Sequence, residues 1–234
     1  MKIALLGYGR MGKAIEEIAL ERGHEIVYRL DKDIEEGDMK LADVAINFSI
    51  PDAAVANIKA AFDCSLPVVC GTTGWLDKQA EINSLCLAKK TAFLYASNFS
   101  VGVHLFFKLS RFMAQLMTPH KADYKAQLSE IHHIHKLDAP SGTAITLAEN
   151  VINNSPYTNW TKSNPKEKEL PITSYREGEV PGTHTLSYVS EIDAINITHE
   201  AHNRKGFALG AVVAAEWIKE KAGVFTMDDV LNLS

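Results

Sequence analysis

The feature that most constrains the fold is a regular alternation of short apolar runs with helix-patterned segments in the first half of the chain. The apolar runs lie at residues 2–7, 24–30, 43–49, 66–71 and 91–97, and the helical segments lie at residues 13–23, 51–62 and 76–90. Strands that alternate with helices in this way predict a parallel sheet joined by right-handed crossovers.

The pattern changes after Asn98, where long helices mix with half-polar strands. Helices are predicted at residues 101–117, 141–154 and 206–223, extended segments at residues 122–135 and 174–202, and a polar loop at residues 154–171. The last helix is almost wholly apolar, so we expect it to return to the first domain and pack on its sheet. The predicted fold class is therefore α/β: a Rossmann-type parallel sheet domain, residues 1–98 plus 205–234, with an inserted α+β domain, residues 99–204.

Composition narrows the classes of function. Of the 234 residues, 46% are apolar and 23% are charged, as in ordinary globular proteins. The formal net charge of −5 argues against a nucleic-acid or anionic-membrane binder, because such proteins normally carry a basic surplus. Three separated cysteines are typical of reduced thiols. No signal peptide or membrane span is indicated, so we expect a cytoplasmic protein without nucleic-acid or membrane partners.

A glycine-rich loop joins the first strand to the first helix. Gly7, Gly9 and Gly12 have the G-x-G-x-x-G spacing that lets backbone approach a pyrophosphate at a helix N-terminus. A plain glycine turn is the alternative. Asp31 follows the second strand, where a carboxylate accepts hydrogen bonds from an adenosine ribose, and it favours a nicotinamide dinucleotide. The acid suggests NADH, while Lys32 and Arg10 leave NADPH open.

Two further loops follow predicted parallel strands. The sequence GTTG at residues 71–74 follows the fourth strand, and SNFS at residues 97–100 follows the fifth. Ligands of open α/β sheets bind outside the carboxyl ends of the strands, so both loops are candidates for cofactor contact. Plain turns that cap the following helices are the alternative.

The stretch EIHHIHKLDAPSGTA, residues 130–144, concentrates histidines beside a lysine and a tight turn. In an extended segment His132 points to one face, while His133 and His135 point to the other. A strand cannot aim all three at one ion, so no metal site is predicted. Ordinary polar surface and an acid–base centre remain as alternatives.

The turn after the histidines favours the acid–base alternative. Pro140 predicts a helix start, which would leave the backbone amides of Gly142 and Thr143 at a positive helix end, ready for a carboxylate. Lys136 adds a cation nearby, and a histidine can serve as a general acid. This combination suits the reduction of a small anionic substrate.

Six motifs together resemble those of one enzyme family, and they span nearly the whole chain. The motifs are GYGRMG (7–12), NFSIPDA (47–53), GTTGW (71–75), SNFSVGVHL (97–105), EIHHIHKLDAPSGTA (130–144) and ITHEAHNRKGFALGA (197–211). They look like the successive motifs of the 4-hydroxy-tetrahydrodipicolinate reductases, also called dihydrodipicolinate reductases. The histidine stretch is specific to this family, whereas the glycine loop alone is not.

The resemblance implies roles for individual residues. His132 is implied to be the proton donor, and Lys136 a second essential residue that donates a proton or holds the substrate. His133 is implied to bind substrate, and Gly142 and Thr143 to clamp a carboxylate. The implied dinucleotide contacts are Gly7, Tyr8, Gly9, Arg10, Met11, Gly12, Asp31, Gly71, Thr72, Thr73, Ala96, Ser97, Asn98 and Phe99.

The resemblance also implies a reaction and an assembly. The family reduces a double bond of a cyclic dicarboxylate with NADH or NADPH, in the diaminopimelate route to lysine. The inserted domain is implied to bind substrate and to assemble a homotetramer through its sheet. Arg204 and Phe207 fall at the domain junction without a defined role. The segment between Asp31 and Asp43 is shorter than in most of the family.

Two other functions are compatible with the residues alone. An amino-acid or sugar dehydrogenase of the same two-domain plan would run in the oxidative direction and use Lys136 or a histidine as base. A nicotinamide-sensing regulator would need a DNA-binding element, and the sequence contains neither a basic helix-turn-helix nor a positive patch.

Overall fold

A computed structural model describes residues 1–203 and 205–233. The strands are β1 (Lys2–Leu6), β2 (Glu25–Asp31), β3 (Ile34–Gly37), β4 (Val44–Asn47), β5 (Val68–Cys70), β6 (Ala92–Tyr95), β7 (Lys125–His132), β8 (Asn159–Thr161), β9 (Glu169–Arg176), β10 (Gly182–Val189), β11 (Ala194–Ala201) and β12 (Gly223–Phe225). The helices are α1 (Arg10–Glu21), α2 (Pro51–Asp63), α3 (Gln79–Ala88), α4 (Val101–Met117), α5 (Gly142–Ile152), α6 (Lys205–Ile218) and α7 (Met227–Val230). Short 3₁₀ turns lie at Met39–Leu41, Leu76–Lys78 and Thr118–His120.

The chain divides into two compact units. The first unit contains Met1–Val101 and the chain from Lys205 onward, and the second unit starts at Gly102 and ends before Lys205. Each unit has its own sheet and its own hydrophobic core. No helix in the described parts of the chain is long and apolar enough to cross a membrane.

The first unit is a Rossmann-type parallel sheet, as predicted, with strand order β12-β6-β5-β4-β1-β2-β3. All neighbours pair in parallel except β3, which runs antiparallel to β2. Strand β3 lies in the acidic segment 31–38, where the apolar pattern predicts no strand. An edge strand needs only backbone pairing on one side, so exposed charges such as Glu35 and Glu36 are tolerated there.

Helices cover both faces of this sheet. Ile3 and Leu5 of β1 face a core shared with α1 and α6, while Ala4 and Leu6 face a core shared with α2 and α3. This alternation follows from the two-residue period of a strand, and full burial of each large apolar side chain contributes about 1.5–3 kcal/mol. Helix α6 therefore packs on the first unit's sheet. It ends at Ile218, earlier than predicted, because the chain then enters β12.

The second unit contains a mixed sheet with strand order β11-β10-β7-β9-β8. Strand β7 pairs antiparallel with β10 and parallel with β9. Helices α4 and α5 share a core with this sheet, to which β7 contributes Ala126 and Leu128. Strand β8 lies inside the predicted polar loop 154–171, and its three residues are too few to show a period.

Along β7 the buried positions are Ala126, Leu128, Glu130 and His132. Two ionisable side chains therefore continue an apolar row on the same face of the strand. A buried carboxylate needs hydrogen-bonding or charged partners, so this end of β7 requires specific neighbours.

Candidate active site

In the glycine loop of the first unit, two of the three glycines leave no room for a side chain, and one does. Gly7 has φ of +102°, and a Cβ there would lie 2.3 Å from the carbonyl oxygen of Phe48. A Cβ on Gly12 would lie 2.3 Å from the carbonyl oxygen of Gly7. At Gly9, by contrast, a Cβ would meet no described heavy atom within 4 Å. Gly7 and Gly12 are thus required by the turn, while Gly9 leaves room beside the N-terminus of α1.

This open space fits a dinucleotide phosphate. Gly9 precedes α1 as its N-cap and has no side chain to accept the first amides of the helix. Those amides, which include Met11, remain available to an anion at the positive end of the helix dipole. Arg10 is exposed at the start of the helix. The loop therefore has the shape and the donors that a pyrophosphate needs.

Asp31 ends β2 beside this loop. Its Oδ2 accepts the backbone N–H of Tyr8 at 2.8 Å, and its Oδ1 accepts the N–H of Lys32 at 2.8 Å. Each carboxylate oxygen can accept a second hydrogen bond, so the ribose hydroxyls of a dinucleotide can still be bound.

The Tyr8 side chain belongs to a charged cluster on α1 and β2. Its hydroxyl donates to Glu16, which also pairs with Arg29, and the Arg29 guanidinium lies 5.6 Å from the centre of the Tyr8 ring. The hydrogen bond to Glu16 raises the pKa of Tyr8. Arg29 is thereby held by an acid, which reduces its availability to a 2′-phosphate of NADPH.

The loops after β5 and β6 contain both packed and accessible residues. Thr72 is buried, and its hydroxyl accepts the N–H of Ser49 at 2.9 Å. Phe99 is buried against α6, where a Cβ on Gly210 would lie 1.6 Å from the Phe99 carbonyl oxygen. Among the other residues of these loops that are predicted to contact the cofactor, Thr73 and Ser97 are exposed, Gly71 and Asn98 are half-buried, and Ala96 is buried.

The pairing of β7 with β10 brings a second group of residues together. Glu130 and His184 lie directly opposite each other in the antiparallel register, and His132 is two residues further along the same face of β7. All three side chains are buried, with exposed fractions of 0%, 5% and 8% for Glu130, His184 and His132.

The ring nitrogens of the two histidines meet within this cluster. His132 Nε2 lies 3.3 Å from His184 Nε2. Glu130 Oε2 lies 3.4 Å from His132 Nε2 and 3.6 Å from His184 Nε2. The hydroxyl of Ser141 lies 3.1 Å from His184 Nε2, and the Ser141 N–H donates to both Glu130 oxygens at 3.1 Å. We call Glu130, His132, Ser141 and His184 the buried cluster.

Glu130 is ionised in this environment. Burial by itself disfavours its charged form, but hydrogen bonds with His132, His184 and Ser141 outweigh that effect and hold the pKa of this carboxyl well below its usual range. The guanidinium of Arg176, from β9, lies 3.7 Å from Glu130 and adds a positive charge.

The N-terminus of α5 adjoins the buried cluster through Ser141. The Ser141 hydroxyl accepts the N–H of Ala144 as a helix cap. Helix geometry gives the amides of Gly142 and Thr143 no partner within the helix, and a Cβ on Gly142 would meet no described atom within 4 Å. A carboxylate can therefore approach these two amides.

Lys136 lies in the turn between β7 and α5. Its Nζ donates to Asp138 at 2.7 and 2.9 Å, and this contact lowers the pKa of Asp138. Arg176 fastens the same turn by donating to the carbonyl oxygens of Lys136 at 3.2 Å and Asp138 at 2.6 Å. The lysine is thus held near the helix N-terminus, partly exposed.

The other histidines of the stretch lie beyond the end of β7. Strand β7 ends at His132, and the rings of His133 and His135 lie beside each other with centroids 6.2 Å apart. The His133 N–H donates to the carbonyl oxygen of Val180. Because β7 ends at His132, the predicted strand alternation does not extend to His133 and His135. Arg204 lies outside the residues that the structure describes, and Phe207 is half-buried in the first turn of α6.

Sequence reasoning missed Glu130, Ser141 and His184. Glu130 had a local signal, since it lies two residues before His132 and therefore on the same face of an extended segment. His184 had none, because its place opposite Glu130 depends on strand pairing.

Glu130, His132 and His184 also carry ligand-type atoms within 4.8 Å of one another, which the prediction of no metal site did not foresee. The two Nε2 atoms lie at hydrogen-bonding distance, so we interpret the group as a proton-sharing cluster.

A Rossmann-type unit with an open glycine loop, together with a second unit that contains buried acid–base groups, defines a two-domain nicotinamide-dependent oxidoreductase. Comparison with known proteins identifies the family. The family descriptions "Dihydrodipicolinate reductase, N-terminus" and "Dihydrodipicolinate reductase, C-terminus" match residues 1–99 and 102–231. The chain belongs to the dihydrodipicolinate reductase family and is an oxidoreductase of lysine and diaminopimelate biosynthesis.

Curated relatives agree over the full length of the chain. A 4-hydroxy-tetrahydrodipicolinate reductase from Christiangramia forsetii is 54% identical over 99% of this chain and 98% of the relative. One from Archaeoglobus fulgidus is 35% identical over 99% of this chain and 100% of the relative.

Solved structures share the fold. A dihydrodipicolinate reductase from Paenisporosarcina sp. TG-14, solved with dipicolinate bound, matches with a TM-score of 0.80 and 23% identity over 97% of each chain. A probable dehydrogenase from Thermotoga maritima matches with a TM-score of 0.62 and 9% identity over 100% of this chain and 93% of that chain. At these identities the likeness concerns the fold alone.

Proposed function

We propose that this enzyme reduces 4-hydroxy-tetrahydrodipicolinate, by way of dihydrodipicolinate, to tetrahydrodipicolinate. The printed names of the curated relatives support this substrate. Loss of water gives the unsaturated ring, and one hydride and one proton then saturate a double bond. The nicotinamide cofactor, when bound, supplies the hydride. The chain itself must bind two anionic ligands and provide the proton.

The glycine loop and Asp31 would hold the cofactor. The open space at Gly9 admits the pyrophosphate, and the carboxylate of Asp31 accepts from the ribose hydroxyls. NADH and NADPH both remain cofactors of the proposal. The acid at Asp31 and the pairing of Arg29 with Glu16 favour NADH, because a 2′-phosphate would meet a carboxylate and an arginine already held by an acid, while the exposed Arg10 and Lys32 leave NADPH open.

The N-terminus of α5 would clamp the substrate. The amides of Gly142 and Thr143 have no partner within α5, a Cβ on Gly142 would meet no described atom within 4 Å, and Lys136 lies in the preceding turn. A carboxylate of a cyclic dicarboxylate would accept from these groups. His133, at the end of β7, is proposed as a further substrate contact.

His132 would deliver the proton. It is buried, and its Nε2 lies 3.4 Å from a carboxylate oxygen of Glu130, while an imidazole can serve as a general acid. Lys136 would either donate a second proton or hold the substrate's charge. The observation that carries the proposal is this pairing of an acid–base residue with an anion-binding helix end in one unit.

The test is consumption of NADH or NADPH in an assay coupled to the synthase that makes the substrate. We expect His132→Gln to lower kcat by about 10²-fold or more with little change in cofactor affinity. His135→Gln is the matched control, because His135 is exposed in the same turn and should retain activity. Absence of turnover by the wild type with both cofactors would refute the proposed reaction.

Domain roles and assembly are part of the proposal. Residues 1–98 plus 205–234 would bind the dinucleotide, and residues 99–204 would bind substrate and form a homotetramer through the second unit's sheet. Cys64, Cys70 and Cys86 are free, which supports a cytoplasmic location. Light scattering with a gel-filtration column would measure the assembly.

A further inference from the structure

Phe48, in the loop after β4, contacts the backbone of the glycine loop. Its N–H donates to the carbonyl oxygen of Leu6 at 2.9 Å, which extends the pairing of β4 with β1 by one residue. Its carbonyl oxygen lies 2.3 Å from the position that a Cβ on Gly7 would take. The Phe48 backbone therefore forms one side of the turn that leads from β1 into α1.

The ring of Phe48 lies on the loop after β5. A Cβ on Gly71 would lie 2.2 Å from the Cζ atom and 2.3 Å from the Cε1 atom of this ring. The φ of Gly71 is outside the left-handed region, so the backbone at this position can accept residues other than glycine. The ring of Phe48 is therefore what excludes a side chain at Gly71.

Two hydrogen bonds join the same two loops on either side of Phe48. The N–H of Gly71 donates to the carbonyl oxygen of Asn47 at 3.0 Å, and the N–H of Ser49 donates to the hydroxyl of Thr72 at 2.9 Å. Asn47 and Thr72 are both buried, which shields these bonds from competing water. The loop after β4 is thus attached to the loop after β5 through its backbone and through the Phe48 ring.

A third contact of Phe48 is with the loop after β6. Its ring centroid lies 5.4 Å from that of Phe99, with the two ring planes at 55°, which is a favourable arrangement for an aromatic pair. Phe99 is 2% exposed, and its carbonyl oxygen lies 1.6 Å from the position that a Cβ on Gly210 of α6 would take. Phe99 is therefore closely packed itself and gives the Phe48 ring a fixed surface.

We propose that Phe48 is a positioning residue that holds three cofactor loops of the first unit in one arrangement before the dinucleotide binds. These are the glycine loop, the loop at residues 71–74 and the loop at residues 97–100. The inference rests on the cofactor contacts proposed for these loops. Loops that already have their bound arrangement lose less conformational entropy on binding, so Phe48 acts on the affinity for the dinucleotide and not on hydride transfer.

The first test measures the fit of Phe48 against Gly71 in the enzyme without cofactor. Gly71→Ala should lower the melting temperature by about 5 °C, because the new methyl group would overlap the ring. In a Phe48→Ala background the same substitution should lower it by about 1 °C or less, because the ring is gone. Equal shifts in the two backgrounds would mean that the ring does not exclude a side chain at Gly71, and they would overturn the proposal.

The second test measures the affinity for the cofactor by fluorescence titration with NADH. Phe48→Leu, which keeps an apolar side chain but removes the ring, should raise the Kd for NADH about tenfold, and Phe48→Ala should raise it further. The kcat at saturating NADH and the KM for the dicarboxylate should stay within about twofold of the wild type. An unchanged Kd in Phe48→Leu would refute the positioning role.

Phe62→Leu is the matched control, because it removes an equal ring from the same unit. Phe62 is 1% exposed, and its ring lies 6.0 Å from that of Phe93 in the core shared with α2 and α3. This variant should lower the melting temperature at least as much as Phe48→Leu and leave the Kd for NADH unchanged. An equal rise of the Kd in both variants would mean that loss of stability alone weakens binding, and it would overturn the proposal.

Gly9→Ala separates this inference from the proposed function. A Cβ on Gly9 would meet no described heavy atom within 4 Å, and it would enter the space proposed for the pyrophosphate. Gly9→Ala and Phe48→Leu should both weaken NADH in the same titration. If only Gly9→Ala does so, the positioning role of Phe48 fails and the cofactor site stands. If neither variant does so, the proposed cofactor site fails together with the inference.

Discussion

The backbone amide of Tyr8 donates a 2.8 Å hydrogen bond to Oδ2 of Asp31. This bond joins the glycine loop after β1 to the end of β2, so the carboxylate is fixed relative to the N-terminus of α1. In the proposed cofactor site, the pyrophosphate and ribose subsites would thereby be coupled through one side chain.

Asp31→Ala should therefore weaken the binding of NADH more than the binding of NADPH. We expect the KM for NADH to rise about tenfold, from loss of the ribose hydrogen bonds, with a smaller change for NADPH. Asp33→Ala is the control, since Asp33 is an exposed acid in the turn after β2. Equal changes for the two cofactors would contradict a ribose contact.

The three glycines of the loop should respond differently to alanine. Gly7→Ala should destabilise the enzyme by about 3 kcal/mol, because φ is +102° and the new Cβ would clash with Phe48. Gly9→Ala should leave the melting temperature nearly unchanged and weaken cofactor binding, because its Cβ would enter open space. Thermal unfolding and cofactor titration measure the two effects separately. An unstable Gly9→Ala variant would be inconsistent with the open position.

Lys136→Ala should lower kcat and raise the KM for the dicarboxylate. The lysine lies in the turn before α5, where its charge adds to the helix end. Leu137→Ala is the matched control, because Leu137 is 98% exposed and contributes no charge. Steady-state kinetics at saturating NADH give both constants. Wild-type behaviour of Lys136→Ala would mean that the anion site lies elsewhere.

Glu130 should make stability depend on acid pH. Its pKa is lowered in the folded enzyme, so above about 4.5, the ordinary value for glutamate, the ionised cluster contributes its full stability. As pH falls below that value the unfolded chain takes up a proton first, and the contribution is progressively lost.

Glu130→Gln should accordingly lower the free energy of unfolding by about 3–5 kcal/mol at neutral pH. The difference in stability between the variant and the wild type should narrow as the pH falls below the ordinary pKa of glutamate. Urea unfolding of both proteins across this range measures the difference. Glu179→Gln, which removes an exposed carboxylate, is the control. A gap that stays constant with pH would show that folding does not lower the pKa of Glu130.

Short edge strands were outside the reach of sequence patterns. β3, β8 and β12 contain three or four residues each, and β3 is largely charged. Unlike the equally short β4, β5 and β6, these strands do not lie in long apolar runs, and their existence depends on the neighbour with which each pairs. The long helices and the buried strands were predicted because their apolar spacing is local.

The sequence by itself determined the Rossmann-type sheet, the glycine loop with Asp31, and the start of α5 that is proposed to bind an anion. Each of these rests on residues that are close in the chain, where local periodicity and backbone geometry suffice. Only the tertiary structure decided that Glu130 meets His184. Those residues meet because β7 and β10 pair antiparallel in one register, and a shift by one residue would turn His184 to the other face of the sheet.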